Sequence, residues 1–282
     1  MAGTSYKKTY QLGDRTINRM GYGAMRITGE GTWGPPADKK EALRVLSRAV
    51  ELGVNFIDTA DSYGPGVSEE LIAEALYPYP KDLVIATKGG FTRTGPHLWH
   101  INCHPDHLEK ALHESLKRLK VDQIELYQLH RVDPEVPFAQ SLEFLQKIQE
   151  EGLVKYIGLS EVSIQNIEEA SKYVKVVSIQ NKYSFDYRKW DPELEYCEKN
   201  NIAFIPWYPL NANKPESISK LGNIAKKYGA SPYQIALSWL LHRSPNILLI
   251  PGTSKVKHLE ENMKAADLVL EQEDIELLNQ LP

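Results

Sequence analysis

Asp58, Tyr63, Lys88 and His130 are the residues of this chain whose types and placement could do chemistry together. Asp58 closes the short apolar run Phe56-Ile57. Tyr63 follows five residues later in the small-residue loop Thr59-Ala60-Asp61-Ser62-Tyr63-Gly64. Lys88 closes Ile85-Ala86-Thr87, and His130 closes Tyr127-Gln128-Leu129. Singly, an Asp at a strand end commonly caps a turn, a Lys there is commonly solvated, and a Tyr commonly packs. Together they are a proton donor and the groups that tune it. Free tyrosine, with a pKa of about 10, is a weak acid near neutrality. An adjacent ammonium favours the phenolate and is expected to lower that pKa, while a carboxylate keeps the ammonium charged and placed. With an imidazole to hold a substrate oxygen, the set suits proton delivery to a carbonyl oxygen as hydride reaches its carbon. None of these side chains donates hydride, so a cofactor is required.

For the set to meet, the strands that carry it must lie side by side. Apolar, strand-like runs recur at 20–25, 56–59, 83–87, 124–129, 154–159, 176–180, 203–206 and 247–250, continuous rather than alternating, as when both faces of a sheet are covered. Helical periodicity falls between them: a helix opened by Asp38 and stopped by Gly53, then 68–76, 105–119, 138–151, 164–173 and 192–200. Two helices, 218–228 and 231–243, precede the last strand, and 256–266 follows it. This alternation predicts an α/β fold, a (β/α)₈ TIM barrel whose active site lies at the carboxyl ends of the strands. Gly13-Asp14-Arg15 predicts an N-terminal β-hairpin, and the extra helices gather near the C-terminus. An open doubly wound sheet is disfavoured because no Gly-rich fingerprint follows the first strand. No linker or low-complexity tract divides the chain, so 1–282 is expected to form a single domain.

Composition narrows the class further. Of 282 residues, 42% are hydrophobic and 25% charged, enough for a large core. A net charge of −4 gives no general attraction to nucleic acid or anionic membranes. The two cysteines, Cys103 and Cys197, have no framework spacing and predict free thiols in a reducing compartment. No apolar signal core opens the sequence, and the longest aliphatic runs are too short to span a bilayer. A cytoplasmic protein acting on a small molecule, with no membrane or nucleic-acid partner and a monomeric state, is the expectation.

Asp58, Tyr63, Lys88 and His130, in that order, resemble the catalytic tetrad of the aldo-keto reductases. The resemblance runs over nearly the whole chain and includes Gly53-Val54-Asn55-Phe56-Ile57-Asp58-Thr59-Ala60, Ile157-Gly158-Leu159-Ser160 and Ile250-Pro251-Gly252-Thr253-Ser254. It implies a barrel that uses a nicotinamide cofactor without a Rossmann domain, with NADPH expected over NADH and an aldehyde or ketone as substrate. Within the family, Gly21-Tyr22-Gly23-Ala24-Met25 and Trp33-Gly34-Pro35-Pro36 resemble the bacterial branch that includes pyridoxal reductases, which makes pyridoxal the leading substrate.

The resemblance also assigns cofactor positions. Ser160 and Gln180 would hold the nicotinamide carboxamide, and Trp207 would stack on the ring, followed by Pro209 and Leu210. Met25, Arg26 and Asp58 complete the near side. Gly252, Thr253, Ser254, Lys255, His258, Glu261 and Asn262 match the adenosine-phosphate site, at a strand end leading into a helix N-terminus. There are departures. The family usually has Asn after the serine, where this chain has Glu161, which accepts but does not donate. Many members carry Lys and Arg where this chain has Gly252 and His258, with Lys255 and Lys257 nearby as substitutes.

Substrate specificity is expected in the loops 25–36, 89–104, 131–137 and 210–217, with Trp33 and Trp99 as apolar walls. His97, His100, Cys103, His104 and His107 crowd one of these loops but lack a recognisable paired metal-ligand spacing. No metal site is expected there; a zinc hydrolase would be the reading if one existed. A nicotinamide-binding regulatory protein on the same scaffold, resembling potassium-channel beta subunits, is the other alternative. The complete tetrad speaks against a purely binding role.

Overall fold

In a computed structural model, which describes residues 6–210 and 215–280, parallel strands curl into a closed barrel. The strands are β3 (Tyr22–Gly23), β4 (Phe56–Asp58), β5 (Val84–Gly89), β8 (Ile124–Leu129), β9 (Val154–Ser160), β10 (Val176–Gln180) and β11 (Ala203–Phe204). They pair in that order, parallel throughout. The segment 246–249 closes the ring. Phe204 donates to the Asn246 carbonyl at 2.9 Å on one side, and Gly21 donates to the Leu249 carbonyl at 2.8 Å on the other. The expected eighth strand is thus present as bridges to both neighbours rather than as a full ladder. The expected first strand, 20–25, is shorter than its apolar run because residues Ala24–Ile27 coil into a 3₁₀ turn.

Helices wrap the outside: α1 (Lys39–Glu51), α2 (Val67–Leu76), α3 (Pro105–Leu119), α4 (Phe138–Glu150), α5 (Ile164–Ala170), α6 (Asp191–Lys199), α7 (Pro215–Tyr228), α8 (Pro232–Arg243), α9 (Val256–Met263) and α10 (Gln272–Gln280). Local sequence explains their limits. Asp38 caps α1 by accepting from the Glu41 N–H at 2.9 Å, and Ser231 and Gln234 form a capping box on α8. Pro105 opens α3, where its missing N–H costs nothing. The expected helix over 256–266 ends at Met263 and continues as a 3₁₀ turn over Lys264–Asp267. α10, which the sequence reading left out, packs Ile275 and Leu278 into the core.

Two antiparallel hairpins lie outside the barrel wall. β1 (Thr9–Leu12) and β2 (Arg15–Asn18) form the expected N-terminal pair, and buried Tyr10, Leu12 and Ile17 cluster with barrel-interior residues Phe56, Val84 and Leu126. The second, β6 (Phe91–Gly95) with β7 (Leu98–Ile101), stands in the expected loop 89–104.

The period-2 alternation of a strand decides what fills the barrel. On β4, Phe56 points in, Ile57 packs outward among α1 and α2 residues, and Asp58 points in. On β5, Val84 and Ala86 point in, and Lys88 shares their parity. Beyond Leu126 on β8, Gln128 and then His130 follow the same rule. Each strand therefore changes from apolar to polar along one inner face. Gly158, at the same level on β9, leaves room for this layer: an added Cβ would lie 2.3 Å from Ser178 Oγ and 2.9 Å from Gln128 Cγ.

Candidate active site

Asp58, Lys88, Gln128 and Gln180 form a buried polar layer at the carboxyl end of the barrel. Lys88 Nζ donates to Asp58 Oδ2 at 2.6 Å and to the Thr59 carbonyl at 2.7 Å, with the pair almost wholly out of water. The other carboxylate oxygen, Oδ1, accepts from Gln180 Nε2 at 2.8 Å and Gln128 Nε2 at 3.2 Å. A buried ion pair is tolerable only when its remaining donors and acceptors are also satisfied, and these are. Gln128 was not singled out from the sequence, although its parity with His130 on β8 was readable there.

Tyr63 stands over this layer. Lys88 Nζ lies 5.3 Å from its ring centroid, and the His130 ring lies at 6.0 Å, edge-on. The structure therefore brings all four sequence-selected residues together. Lys88 acts on Tyr63 in the expected direction, but burial outweighs it. Burial raises the Tyr63 pKa above the ordinary tyrosine value; Lys88 opposes the rise, Asp58 adds to it and Arg131 opposes it. Burial thus favours the protonated phenol at neutral pH, and Lys88 is the neighbour that favours the phenolate. His130 is driven well below the usual imidazole range, by burial first and then by Lys88 and Arg131. It is a neutral imidazole, and its Nδ1 is buried without a partner.

These groups open on a cavity of about 550 Å³. Tyr63, His130, Phe91 and Trp99 line one part; Ser160, Gln180, Trp207, Pro209 and Leu210 line another; Met25, Arg26, Ile250, Pro251 and Gly252 line a third. Trp207 is fixed by a bond from its Nε1 to Glu161 Oε1 at 2.7 Å. The same oxygen accepts the Lys182 N–H at 2.6 Å, and Glu161 itself adopts a left-handed conformation (φ 54°). The acceptor-only character read from the sequence is thus used on the indole. Ser160 Oγ donates to the Gln180 carbonyl at 2.8 Å and accepts from Arg131 Nη1 at 3.1 Å.

The far end of the cavity explains one departure from the family pattern. A Cβ at Gly252 would lie 2.8 Å from the Gly23 carbonyl oxygen, so a larger residue does not fit. Arg26 Cγ approaches the same point at 3.5 Å, which places a guanidinium-bearing side chain beside the gap. Beyond it, Tyr22 donates to the Thr253 carbonyl at 2.6 Å, and Thr253 Oγ1 caps the Lys255 N–H at 3.2 Å. Ser254, Lys255, Lys257, His258 and Glu261 are exposed around the start of α9, whereas Asn262 is buried. None of these lines the cavity itself.

The two tryptophans assigned to the pocket separate. Trp99, on β7, lines the cavity and meets the Tyr63 ring edge-on at 6.3 Å. Trp33 lies outside the lining, its ring 5.8 Å from the Arg93 guanidinium carbon. Arg93 donates to the carbonyls of Gly31, Thr32, Ser62, Gly95 and Leu98, and so ties the β6–β7 hairpin to the loop bearing Tyr63. Phe91 and Arg131 lie in the expected pocket loops without being singled out there, and Gly23, Tyr208, Ile250 and Pro251 are further lining residues that sequence reasoning did not name as site residues. Residues 211–214 of the expected pocket loop 210–217 lie outside the described residues.

The histidine-rich run is dispersed. His97 sits in the β6–β7 turn, His100 Nε2 pairs with Thr94 Oγ1 at 3.0 Å, and His104 caps α3. Cys103 is buried, its N–H donating to Asp133 Oδ2 at 2.8 Å. Among the described residues, no group of His, Cys, Asp and Glu is arranged to hold a metal ion, and no helix is long and apolar enough to cross a membrane.

Comparison with known proteins gives the family. Residues 19–282 match the model of the aldo/keto reductase family. An uncharacterised oxidoreductase of Schizosaccharomyces pombe is 53% identical over 268 residues, covering 94% of this chain and 87% of the relative. Pyridoxine 4-dehydrogenase of Escherichia coli is 43% identical over 277 residues, covering 96% and 97%. A thermostable aldo-keto reductase solved with the inhibitor epalrestat superposes with a TM-score of 0.86 at 33% identity, covering 99% of this chain and all of that one.

Proposed function

Since the chain belongs to the aldo-keto reductase family, we propose that it is an NADPH-dependent reductase of aldehydes or ketones, with pyridoxal as a leading substrate. The observation that carries the reading is the meeting of Tyr63, the Lys88–Asp58 pair and His130 at one wall of a cavity that Trp207 borders.

The residues present fit the cofactor. Trp207 offers an aromatic surface whose indole N–H is already anchored, which suits stacking against a nicotinamide. Ser160 and Gln180 line the cavity beside it and would hold the carboxamide. Arg26 stands beside Gly252 in the lining, and Lys255 and Lys257 stand at the start of α9, where Glu41 accepts from the Val256 N–H at 3.1 Å; these cations would serve the phosphates and favour NADPH over NADH. Bound there, the cofactor supplies the hydride.

The chain's own residues do the rest. Neutral His130 donates a hydrogen bond to the carbonyl oxygen and orients it. Tyr63, protonated by virtue of its burial, gives its proton to that oxygen as negative charge develops. The Lys88 ammonium, held by Asp58 and the Thr59 carbonyl, stabilises the phenolate. Phe91 and Trp99 exclude water from this corner. Both cysteines are unpaired, which accords with a cytoplasmic setting.

Steady-state oxidation of NADPH, and separately of NADH, with pyridoxal and an activated aromatic aldehyde tests the proposal. Turnover should prefer NADPH and fall about 10²- to 10⁴-fold in Tyr63→Phe, the usual worth of a positioned acid. Undiminished turnover in that variant would remove Tyr63 from the mechanism. Tight NADPH binding without reduction of any carbonyl would favour the regulatory alternative.

A further inference from the structure

Arg131 is a cation in the cavity with donors left over. It follows His130 directly at the carboxyl end of β8, and its Nη1 donates to the His130 carbonyl at 2.6 Å and to Ser160 Oγ at 3.1 Å. Those bonds turn the guanidinium between two rings, with its carbon 5.3 Å from the Phe91 centroid and 5.7 Å from the Trp207 centroid. Nε and Nη2 make no hydrogen bond or ion pair with any described residue, and Arg131 lines the cavity. The acid acting on it is Glu161, beyond ion-pair distance and committed to the Trp207 and Lys182 N–H groups.

The other arginines near the site differ: Arg26, also in the lining, is exposed and keeps its hydration. Arg93 is saturated by backbone carbonyls, and Arg118 is paired with buried Glu69 at 2.7 Å. A largely buried guanidinium with open donors is costly unless an anion or acceptor completes it, because its hydration has been taken away. Aromatic faces soften that cost without meeting the in-plane donors.

We propose that Arg131 is a substrate subsite for an anionic oxygen carried one or two carbons away from the reacting carbonyl. Planar 2-oxo carboxylates and aldehydes with an ionised hydroxyl on the adjacent ring carbon are the substrates it fits. The placement rests on neighbouring positions: the His130 ring and the Arg131 guanidinium flank the same Phe91 ring, at 4.7 and 5.3 Å. A carbonyl oxygen held by His130 and Tyr63 leaves the adjoining substituent facing Arg131, while Phe91 and Trp99 cover the planar remainder. Pyridoxal, with a phenolic oxygen beside its formyl group, falls within this class. The inference builds on the reductase reading above and adds a charge requirement to it.

The test compares phenylglyoxylate with its methyl ester, which presents the same ketone without the charge. The holoenzyme is used as wild type, Arg131→Met and Arg131→Lys. The ratio of kcat/KM for anion over ester should fall about 10- to 100-fold in Arg131→Met, as for loss of a charge-assisted hydrogen bond. Arg131→Lys should recover part of it, since an ammonium restores charge but not the planar fork. Binding of mandelate against methyl mandelate, followed by quenching of the cavity tryptophans, gives a readout that needs no turnover. The preference for mandelate should disappear in Arg131→Met. An unchanged ratio would overturn the proposal. So would equal losses on both substrates with weakened NADPH binding, which would place Arg131 on the cofactor. A persisting, Arg131-dependent preference for mandelate in a protein that reduces neither ketone would support the subsite and count against the reductase reading instead.

Discussion

The two ends of the barrel interior are built on the same strands and do opposite things. At the amino end, Phe56, Val84, Leu126 and Leu248 meet Tyr10, Leu12 and Ile17 of the first hairpin in a wholly apolar plug. Two or four residues further along the same inner faces stand Asp58, Lys88, Gln128 and His130. The plug gains stability from each side chain through area removed from water, without directional demands. The polar layer gains little net stability, because desolvation of an ion pair roughly cancels its attraction. What it gains is fixed geometry: every oxygen of Asp58 and the Lys88 ammonium have assigned partners. One end holds the barrel closed; the other holds the proposed proton donor in register.

The strongest way to break this division is to remove one partner of the ion pair. Lys88→Met leaves Asp58 buried with only amide donors and Tyr63 without a cation to stabilise its phenolate. Stability should fall by about 3–5 kcal/mol, the usual penalty for a stranded buried charge. Turnover should fall at least as far as in Tyr63→Phe, whose own unfolding midpoint should hardly move. Urea unfolding beside single-turnover reduction reads both. A stable, active Lys88→Met protein would show that the ion pair neither anchors the layer nor serves the phenol.

The converse substitution sharpens the comparison. Leu12 is buried in the plug, so Leu12→Ala should cost about 2–5 kcal/mol from lost transfer energy and the cavity left behind. Because the plug shares no hydrogen bond with the polar layer, KM and kcat below the unfolding transition should match wild type. A shifted KM would mean that packing at the plug sets the position of the catalytic strands.

The two ends were unequally legible in the sequence. Strand identity and the parity that aligns Asp58, Lys88 and His130 follow from apolar runs with a chemical residue at each carboxyl end, and Pro105 and Asp38 marked helix starts by local rules. The β6–β7 hairpin reads as loop in the sequence because Thr92, Arg93 and Thr94 are polar, and Arg93 is held by the carbonyls of Gly31, Thr32 and Ser62, far away in sequence, rather than by a core. Arg131 was passed over for a similar reason. A charged residue after a strand looks solvated until Ser160, Phe91 and Trp207, from distant parts of the chain, are seen around it. Glu161 was noticed as a departure, but its partner, the Trp207 indole, is 46 positions away. What depends on one element's own pattern was readable; what depends on which loops meet over the barrel mouth was not.

The smallest effect expected concerns the carboxyl group next to the polar layer. Asp61 is buried in the loop before Tyr63, with Oδ1 unpartnered. Burial, with the Glu69 carboxylate second, raises its pKa to about 8, against the pull of Arg118 and Ser62. In the unfolded chain the same group titrates near its ordinary value, about 3.9. Between those limits the folded protein keeps a proton that the unfolded chain releases, so stability must decline as pH rises through this window. The slope is at most about 1.4 kcal/mol per pH unit for one proton. Asp61→Asn mimics the protonated form and cannot ionise. Between pH 6 and pH 7, wild type should therefore lose up to about 1.4 kcal/mol more than the variant. Urea unfolding of both proteins at the two pH values measures the difference directly. Parallel losses would mean that Asp61 is ionised in the folded protein and that its environment is wetter than the surrounding burial implies. A shallower loss in the variant would show that the functional end of the barrel carries a cost in stability even beyond its ion pair, which the apolar plug at the other end must offset.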